Sequence, residues 1–347
     1  MAKRKSELSL LNVLMCLLVI FVHVISWTIG DMDKSSIAYV FTLIPWRLAQ
    51  FVVQGFVFLS AVKLFASGKE QNYETFLAGR YKRVVIPYVL WVILYYVYFI
   101  KHSYYAYTFS WGSLGTYLFY GTLCSHFYFV VMIMQFYLNL PLFKWLTRRV
   151  NVWVLAVLSV VLTALFKQYV HFQYDDRILP AYLCYFMLGA AVGLNYGKVA
   201  RLLRSCFALV LPLFAIFAAA DGYLTYRAQV QGITFKYIEI VHLGYCISAI
   251  FFFLTLFLLI GEDKNLSKPI SLIDRSSYAI YLSHVLFIYL ANDIAPSIEG
   301  FLEPYGITLG MAGNLIFRAV FTYAATLGVC MLYTFIVGLF KRGKQDS

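Results

Sequence analysis

Long apolar runs alternate with short polar junctions along almost the whole chain. Ten runs are each long enough to cross about 30 Å of hydrocarbon at about 1.5 Å per residue. They cover residues 8–29, 44–66, 84–101, 125–143, 151–167, 178–196, 206–222, 239–261, 271–291 and 309–338. Because a backbone in hydrocarbon must satisfy its own hydrogen bonds, each run is expected to be helical. The pattern predicts an all-α, polytopic integral membrane protein with about ten transmembrane helices.

Basic residues gather at alternate junctions. If the N-terminus with Lys3, Arg4 and Lys5 is cytoplasmic, 20 of the 28 Lys and Arg residues fall at cytoplasmic ends of the runs. This is the positive-inside pattern, and it predicts that both termini of a multi-pass membrane protein are cytoplasmic. The topology also explains the net charge of +12, so the charge gives no reason to invoke nucleic acid as a partner.

Composition supports one membrane unit. Hydrophobic residues make up 62% of the chain and charged residues 13%, and no linker rich in Pro, Gly and Ser separates a soluble part. We therefore predict a single domain over residues 1–347. The six cysteines show no Cys-x-x-Cys spacing, and the chain lacks the motifs of nucleotide, dinucleotide and zinc sites. We predict no metal and no permanently bound cofactor.

An ionisable side chain inside an apolar run is a functional candidate, because its insertion costs about 2.5–3.5 kcal/mol at the helix centre. His23 lies about 22 Å from Leu8 along a straight helix, in the outer half of the membrane. A histidine, whose ordinary pKa is about 6.5, can take a proton from a hydroxyl and return it. His23 is therefore a candidate general base. The alternative is a histidine that only packs against a neighbouring helix.

Five further side chains are candidate substrate contacts. Tyr281 and His284 lie one turn apart on the ninth run, and His126 stands at the outer start of the fourth. Arg47 and Arg318 carry permanent charges in the outer halves of the second and tenth runs, where they need an anion, carbonyls or water. The alternatives are packing for the histidines and snorkelling toward the membrane surface for Arg47.

A basic cluster, Arg80 to Arg83, precedes the third run on the predicted cytoplasmic side. Such a cluster is usually a topology signal. Arginine side chains also match phosphate oxygens in pairs, so Arg80 and Arg83 are candidates for holding a phosphate-bearing ligand.

Five short segments, in order along nearly the whole chain, resemble integral-membrane acyltransferase family three, which O-acylates cell-envelope and extracellular glycans in bacteria. They are Val22-His23, Phe56-Val57-Phe58-Leu59-Ser60, 80–88, 186–193 and 277–284. The segment 127–136 is similar to the branch that modifies exopolysaccharide of the poly-N-acetylglucosamine type.

The resemblance implies transfer of an acyl group, acetyl or another short one, from cytoplasmic acyl-CoA to a hydroxyl of an extracytoplasmic glycan or its lipid-linked precursor. It implies that His23 is the general base, that Arg80 and Arg83 contact the donor, and that Tyr281 and His284 line the path of the acyl group. The family commonly has an arginine eleven residues before this histidine. The chain has Asn12 there, so a fixed charge is absent.

Two other classes of function fit the same residues. In a polysaccharide exporter or transporter, the buried histidines and arginines would line a translocation path without covalent chemistry. In a membrane receptor or assembly partner, the aromatic outer segments would supply a binding surface.

Overall fold

A computed structural model describes residues 5–67, 72–104, 108–261 and 265–343. These residues are mostly helical and contain no β-strand. In chain order the α-helices are α1 (Ser6–Ile29), α2 (Ile37–Ala49), α3 (Val52–Ala66), α4 (Tyr73–Arg80), α5 (Ile86–Lys101), α6 (Trp111–Tyr120), α7 (Tyr128–Leu138), α8 (Leu140–Arg149), α9 (Val152–Tyr169), α10 (Leu183–Leu194), α11 (Tyr196–Ser205), α12 (Phe207–Val230), α13 (Ile238–Gly261), α14 (Lys268–Leu302) and α15 (Gly310–Gly343).

The helices confirm the predicted class of fold. Within the described ranges, eight helical segments are long and apolar enough to cross a membrane, and up to ten if each of two bent pairs is counted as one span. The protein is therefore an all-α membrane protein with eight to ten spans. The cytoplasmic location of the termini stays a prediction, and Lys3 and Arg4, on which it partly rests, lie outside the described residues.

The first bent pair replaces the predicted fourth run. Helices α7 and α8 meet at an angle of 51° next to Asn139. Pro141 in the first turn of α8 has no N–H to donate, and its ring collides with the carbonyl of residue i−4 in a continuous helix. The Asn139 side chain donates instead to the Gln135 carbonyl at 2.9 Å, which closes α7. The run is thus two short helices.

The second bent pair replaces the predicted sixth run. Residues 179–194 and helix α11 meet at 100°. Asn195, between them, donates its side-chain amide to the Ala191 carbonyl at 3.0 Å, a contact that competes with helix continuation. Helix α11 buries Val199, Ala200 and Leu203 and carries three basic residues, a composition typical of an interfacial helix.

Two helices extend beyond the ends of their apolar runs. Helix α12 continues from the predicted end at 222 to Val230, and α14 continues from 291 to Leu302. Hydropathy marks where polar residues begin, whereas a helix ends only where its backbone hydrogen bonds end. Asp221 and Asn292 therefore lie within helices rather than at their termini.

The chain divides into two compact units. The first unit comprises Met1–Val52 and Ala200–Ser347, and the second comprises Val53–Val199. In the first unit, α1 packs against α2, α13, α14 and α15. In the second unit, α9 packs against α10. The single domain over residues 1–347 stays a prediction.

Close packing in the second unit explains the small residues of segment 186–193. On α10, a Cβ added at Gly189 would collide with the Phe58 carbonyl of α3, and one added at Gly193 would lie 2.8 Å from the Val62 carbonyl oxygen. Glycines four residues apart lie on one helix face, so they allow the two backbones to approach. Neither position leaves room for a side chain.

We expect Gly189→Ala to lower the free energy of unfolding by about 1–3 kcal/mol, because the added methyl group forces α3 and α10 apart. Thermal unfolding of the purified protein measures the loss. Gly197→Ala is the matched control, since a Cβ at Gly197 meets nothing within 4 Å. Equal stabilities of the two variants would contradict the packing.

Candidate functional site

Two histidines of the first unit are in direct contact. His23 on α1 and His284 on α14 have ring centroids 5.0 Å apart, with ring planes inclined at 53°. His284 is fully buried, and His23 is half-buried. Tyr281, one turn before His284, has its ring centroid 6.2 Å from the His284 ring. The structure thus brings together His23, Tyr281 and His284, three of the residues predicted for the site.

The hydrogen bond of His284 to its own helix determines its tautomer. Its Nδ1 lies 3.1 Å from the Ile280 carbonyl oxygen. A carbonyl oxygen only accepts, so Nδ1 carries the proton, and Nε2 of the neutral ring is an acceptor. Two adjacent imidazolium charges would repel in a medium of low dielectric constant. The histidine pair is therefore suited to accept one proton and pass it on.

Polar contacts hold one end of α1 against α14. Asp274 is buried, and its carboxylate accepts hydrogen bonds from the Ser9 hydroxyl at 2.9 Å and the Asn12 side-chain amide at 2.7 Å. Asn12 stands where the family resemblance leads one to expect an arginine. Here the amide serves as a neutral donor to a buried carboxylate.

A second set of polar contacts lies toward the other end of α1. Arg318 on α15 donates from Nε to the Asn292 side-chain oxygen at 2.7 Å and from Nη1 to the Thr28 hydroxyl at 2.8 Å. Its guanidinium carbon lies 5.9 Å from the centroid of the Trp27 ring. Trp27 also meets the Tyr289 ring edge-on at 4.9 Å.

Arg47 is bound to a carboxylate that sequence reasoning missed. Its Nε and Nη2 donate to the two carboxylate oxygens of Asp221 at 3.0 and 3.1 Å. Asp221 Oδ2 also lies 3.0 Å from His242 Nδ1, and His242 Nε2 lies 3.4 Å from the Cys246 sulfur. The carboxylate is fully buried. The network joins α2, α12 and α13, and the role of Arg47 in substrate binding stays a prediction.

The predicted donor residues lie in the second unit. Arg80 ends α4, with its guanidinium carbon 5.0 Å from the Phe76 ring centroid and 4.6 Å from that of Tyr137. Stacking uses the faces of the guanidinium and leaves its N–H edges for other partners. Arg83 is exposed in the π-helical turn Tyr81–Val85. Pro87, one turn later, favours this irregular turn, since its ring crowds the backbone of residue 83.

The remaining candidate, His126, is buried in an aromatic cluster of the second unit. Its ring centroid lies 5.7 Å from that of Tyr95 and 4.1 Å from that of Phe127. Nearby, the Gln135 side chain accepts from the Leu179 N–H at 3.0 Å and donates to the Arg177 carbonyl at 2.7 Å. These contacts give segment 127–136 a structural role, and the role of His126 in substrate binding stays a prediction.

The chain matches a family almost from end to end. Residues 6–335 fit the sequence pattern of the family described as "Acyltransferase domain". This chain belongs to acyltransferase family three. The resemblance of the five segments is thereby confirmed, and the protein is a membrane protein of an acyltransferase family.

Relatives of this chain are named as export proteins rather than as acyltransferases. A "Probable poly-beta-1,6-N-acetyl-D-glucosamine export protein" of Staphylococcus aureus (strain MSSA476) is 24% identical over 308 residues, which cover 83% of this chain and 83% of the relative. A protein of the same name from Staphylococcus epidermidis is 25% identical over 369 aligned positions, covering 99% of this chain and 96% of the relative. No solved structure matches the chain.

The sequence alone did not identify four residues of these networks: Asp221, Asp274, Trp27 and Asn292. The signal for Asp221 was available, because it follows three alanines within an apolar segment, where a carboxylate is expensive. Placing the end of the seventh run at residue 222 made Asp221 look terminal. For Trp27 no such signal exists, since Trp is common at membrane interfaces, and Asn292 lies one residue beyond the predicted ninth run.

We expect Arg47→Ala to lower the free energy of unfolding by about 3–5 kcal/mol, because it leaves the buried Asp221 charge without its bidentate partner. Replacing both residues with leucine should cost less than the sum of the two single leucine changes, as thermal unfolding of the purified variants would show. Arg227→Ala is the control, since the Arg227 side chain donates a hydrogen bond to Tyr223 of its own helix and, within the described residues, forms no ion pair. Strict additivity would contradict the coupling.

Proposed function

We propose that this protein is an O-acyltransferase of a bacterial plasma membrane. It transfers a short acyl group, such as acetyl, from cytoplasmic acyl-CoA to a hydroxyl of an extracytoplasmic glycan or its lipid-linked precursor. His23 is the general base. The observation that carries the proposal is the contact between His23 and His284 within a chain of acyltransferase family three.

The reaction needs one proton to move from the acceptor to the leaving group. His23 takes the proton from the sugar hydroxyl as its oxygen attacks the thioester carbonyl carbon. The new C–O bond forms, the C–S bond breaks, and the CoA sulfur receives the proton. General-base assistance of this kind contributes about 10²–10⁴-fold to a rate. His284 acts as a positioning residue. Its hydrogen bond to the Ile280 carbonyl fixes its tautomer, and its ring packs against that of His23 and orients it.

Arg80 and Arg83 are proposed to bind the phosphates of the donor. Phe76 and Tyr137 hold the Arg80 guanidinium by its faces, and Arg83 is exposed one turn further along the chain. Within the described residues neither arginine forms an ion pair with a carboxylate, so both retain their charge for a phosphate.

The names of the relatives support a glucosamine-based acceptor. They refer to poly-β-1,6-N-acetyl-D-glucosamine. We therefore choose a β-1,6-linked N-acetylglucosamine pentasaccharide, below called the glucosamine probe, as the test acceptor. Each unit has free hydroxyl groups that an acyl group can esterify.

The decisive experiment is label transfer in proteoliposomes from radiolabelled acetyl-CoA to the glucosamine probe. Wild type is expected to produce labelled ester, and His23→Ala is expected to lose at least about 100-fold in rate, the lower end of a general-base contribution. His171→Ala is the matched control, because His171 is an exposed loop histidine whose side chain is 71% accessible. Full activity of the folded His23→Ala protein would rule out His23 as the base.

Donor binding has its own test. Arg83→Gln is expected to raise the KM for acetyl-CoA about tenfold, because a charge-assisted contact to phosphate is lost. It should leave the KM for acetyl-pantetheine, which lacks the nucleotide phosphates, unchanged. Lys82→Gln, which removes an equally exposed neighbouring charge, is the control. An equal rise with both donors would exclude phosphate binding by Arg83.

The names of the relatives also favour a second candidate function, export of a polysaccharide without covalent chemistry. An exporter predicts that the glucosamine probe crosses the proteoliposome membrane unmodified. Transport of unlabelled probe, together with no label from a panel of short acyl-CoA donors, would replace the acyltransferase proposal with the exporter.

A further inference from the structure

One cluster of the first unit has the features of a sugar-binding subsite. It consists of Trp27 and Thr28 on α1, Tyr289 and Asn292 on α14, and Arg318 on α15, and we call it the Trp27 cluster. Trp27 follows His23 by four residues, so the two side chains lie on one face of α1 about 6 Å apart along its axis. A ligand on the Trp27 cluster is therefore one helical turn from the proposed base.

The aromatic members are held in place. The Trp27 and Tyr289 rings meet edge-on, with centroids 4.9 Å apart, and the Arg318 guanidinium carbon lies 5.9 Å from the Trp27 centroid. Trp27 is half-buried. An ordered indole that retains exposed surface offers an apolar face, and the C–H face of a pyranose ring is apolar too.

The polar side chains of the Trp27 cluster retain hydrogen-bond donors for a ligand. Hydrogen bonds to Asn292 and Thr28 occupy Nε and Nη1 of Arg318. Within the described part of the chain, Nη2 of Arg318 forms no hydrogen bond, and the amide nitrogen of Asn292 is buried without a partner. A buried amide without a partner costs about 1–3 kcal/mol, so a ligand that accepts from it gains an equivalent advantage.

The charges at the Trp27 cluster favour one class of ligand. Arg318 interacts electrostatically with Asp31, which lies just beyond the end of α1. The positive charge is thus partly balanced by the protein, which favours a neutral oxygen-rich ligand over an anion. Hydroxyl and amide oxygens of a neutral sugar fit two donors of this kind, whereas a phosphate or carboxylate would be repelled by the negative charge of Asp31.

We propose that the Trp27 cluster is the subsite for the acceptor sugar, an N-acylated hexosamine unit that stacks on Trp27 and accepts hydrogen bonds from Arg318 and Asn292. This assignment rests on the proposed function and names the residues that recognise its acceptor. It also explains why a permanent charge and a buried amide persist at one end of three packed apolar helices.

Direct binding tests the subsite without any acyl donor. Purified full-length protein in detergent micelles is titrated with the glucosamine probe, and Kd is measured by microscale thermophoresis. Arg318→Gln and Trp27→Leu are each expected to raise Kd about tenfold, the factor for losing one contact of ordinary strength. Arg227→Gln, the same change at an arginine that contacts Tyr223 of α12 and Phe235 shortly after it, should leave Kd at the wild-type value.

Steady-state kinetics separates a binding role from a structural one. Arg318→Gln should raise the KM for the glucosamine probe and leave the KM for acetyl-CoA unchanged, whereas a folding defect would lower kcat and the melting temperature as well. Asn292→Leu provides a second variant, because it fills the same volume without a donor. If Arg318→Gln and Asn292→Leu both bind the glucosamine probe with the wild-type Kd, the subsite is overturned.

The two proposals fail in different ways. If the wild type binds the glucosamine probe at the Trp27 cluster but transfers no label, the subsite stands and the acyltransferase proposal falls. If label transfer is normal and the cluster variants bind as wild type does, only the subsite falls. A rise in melting temperature with anionic lipid, lost in Arg318→Gln, together with no probe binding, would reassign the cluster to a lipid headgroup.

Discussion

The interior of a membrane supplies no water, so polar side chains in the spans must find partners within the protein, and α1 shows how far this requirement shapes the first unit. Its polar residues Ser9 and Asn12 bind Asp274 near one end, and Thr28 binds Arg318 near the other. Ser9 and Thr28 lie about 28 Å apart along the helix axis, close to the full thickness of the hydrocarbon. Turning α1 by one residue, about 100°, would break both sets of contacts together.

Two anchored ends therefore position the middle of α1. His23 faces His284 because the helix cannot rotate without breaking its hydrogen bonds to the Asp274 carboxylate and the Arg318 guanidinium. A hydrogen bond to a charged group contributes about 1.5–3 kcal/mol to stability, so the loss of these contacts is costly. The contact with Asp274 also accounts for the asparagine at position 12. It retains a hydrogen bond to the carboxylate where a charged residue would form an ion pair.

A second polar network stabilises the neighbouring helices by the same rule. Arg47 and Asp221 form an ion pair whose charges cancel, and His242 hydrogen-bonds to the same buried carboxylate. In the second unit, close backbone packing joins α3 and α10. Gly189 and Gly193 let the backbones approach, and dispersion contacts between closely packed atoms replace polar pairs.

Local sequence determined the features that depend on hydropathy and on single residues: the all-α membrane class, the positions of eight to ten spans, and membership of an acyltransferase family through five short segments. Tertiary structure decided which polar groups meet. Asp274 lies 262 residues beyond Asn12 and Asp221 lies 174 beyond Arg47, and no periodicity in a sequence reports contacts at such separations. The breaks at Asn139 and Asn195, and the continuation of α12 past Asp221, likewise depend on partners that only the folded chain brings within reach.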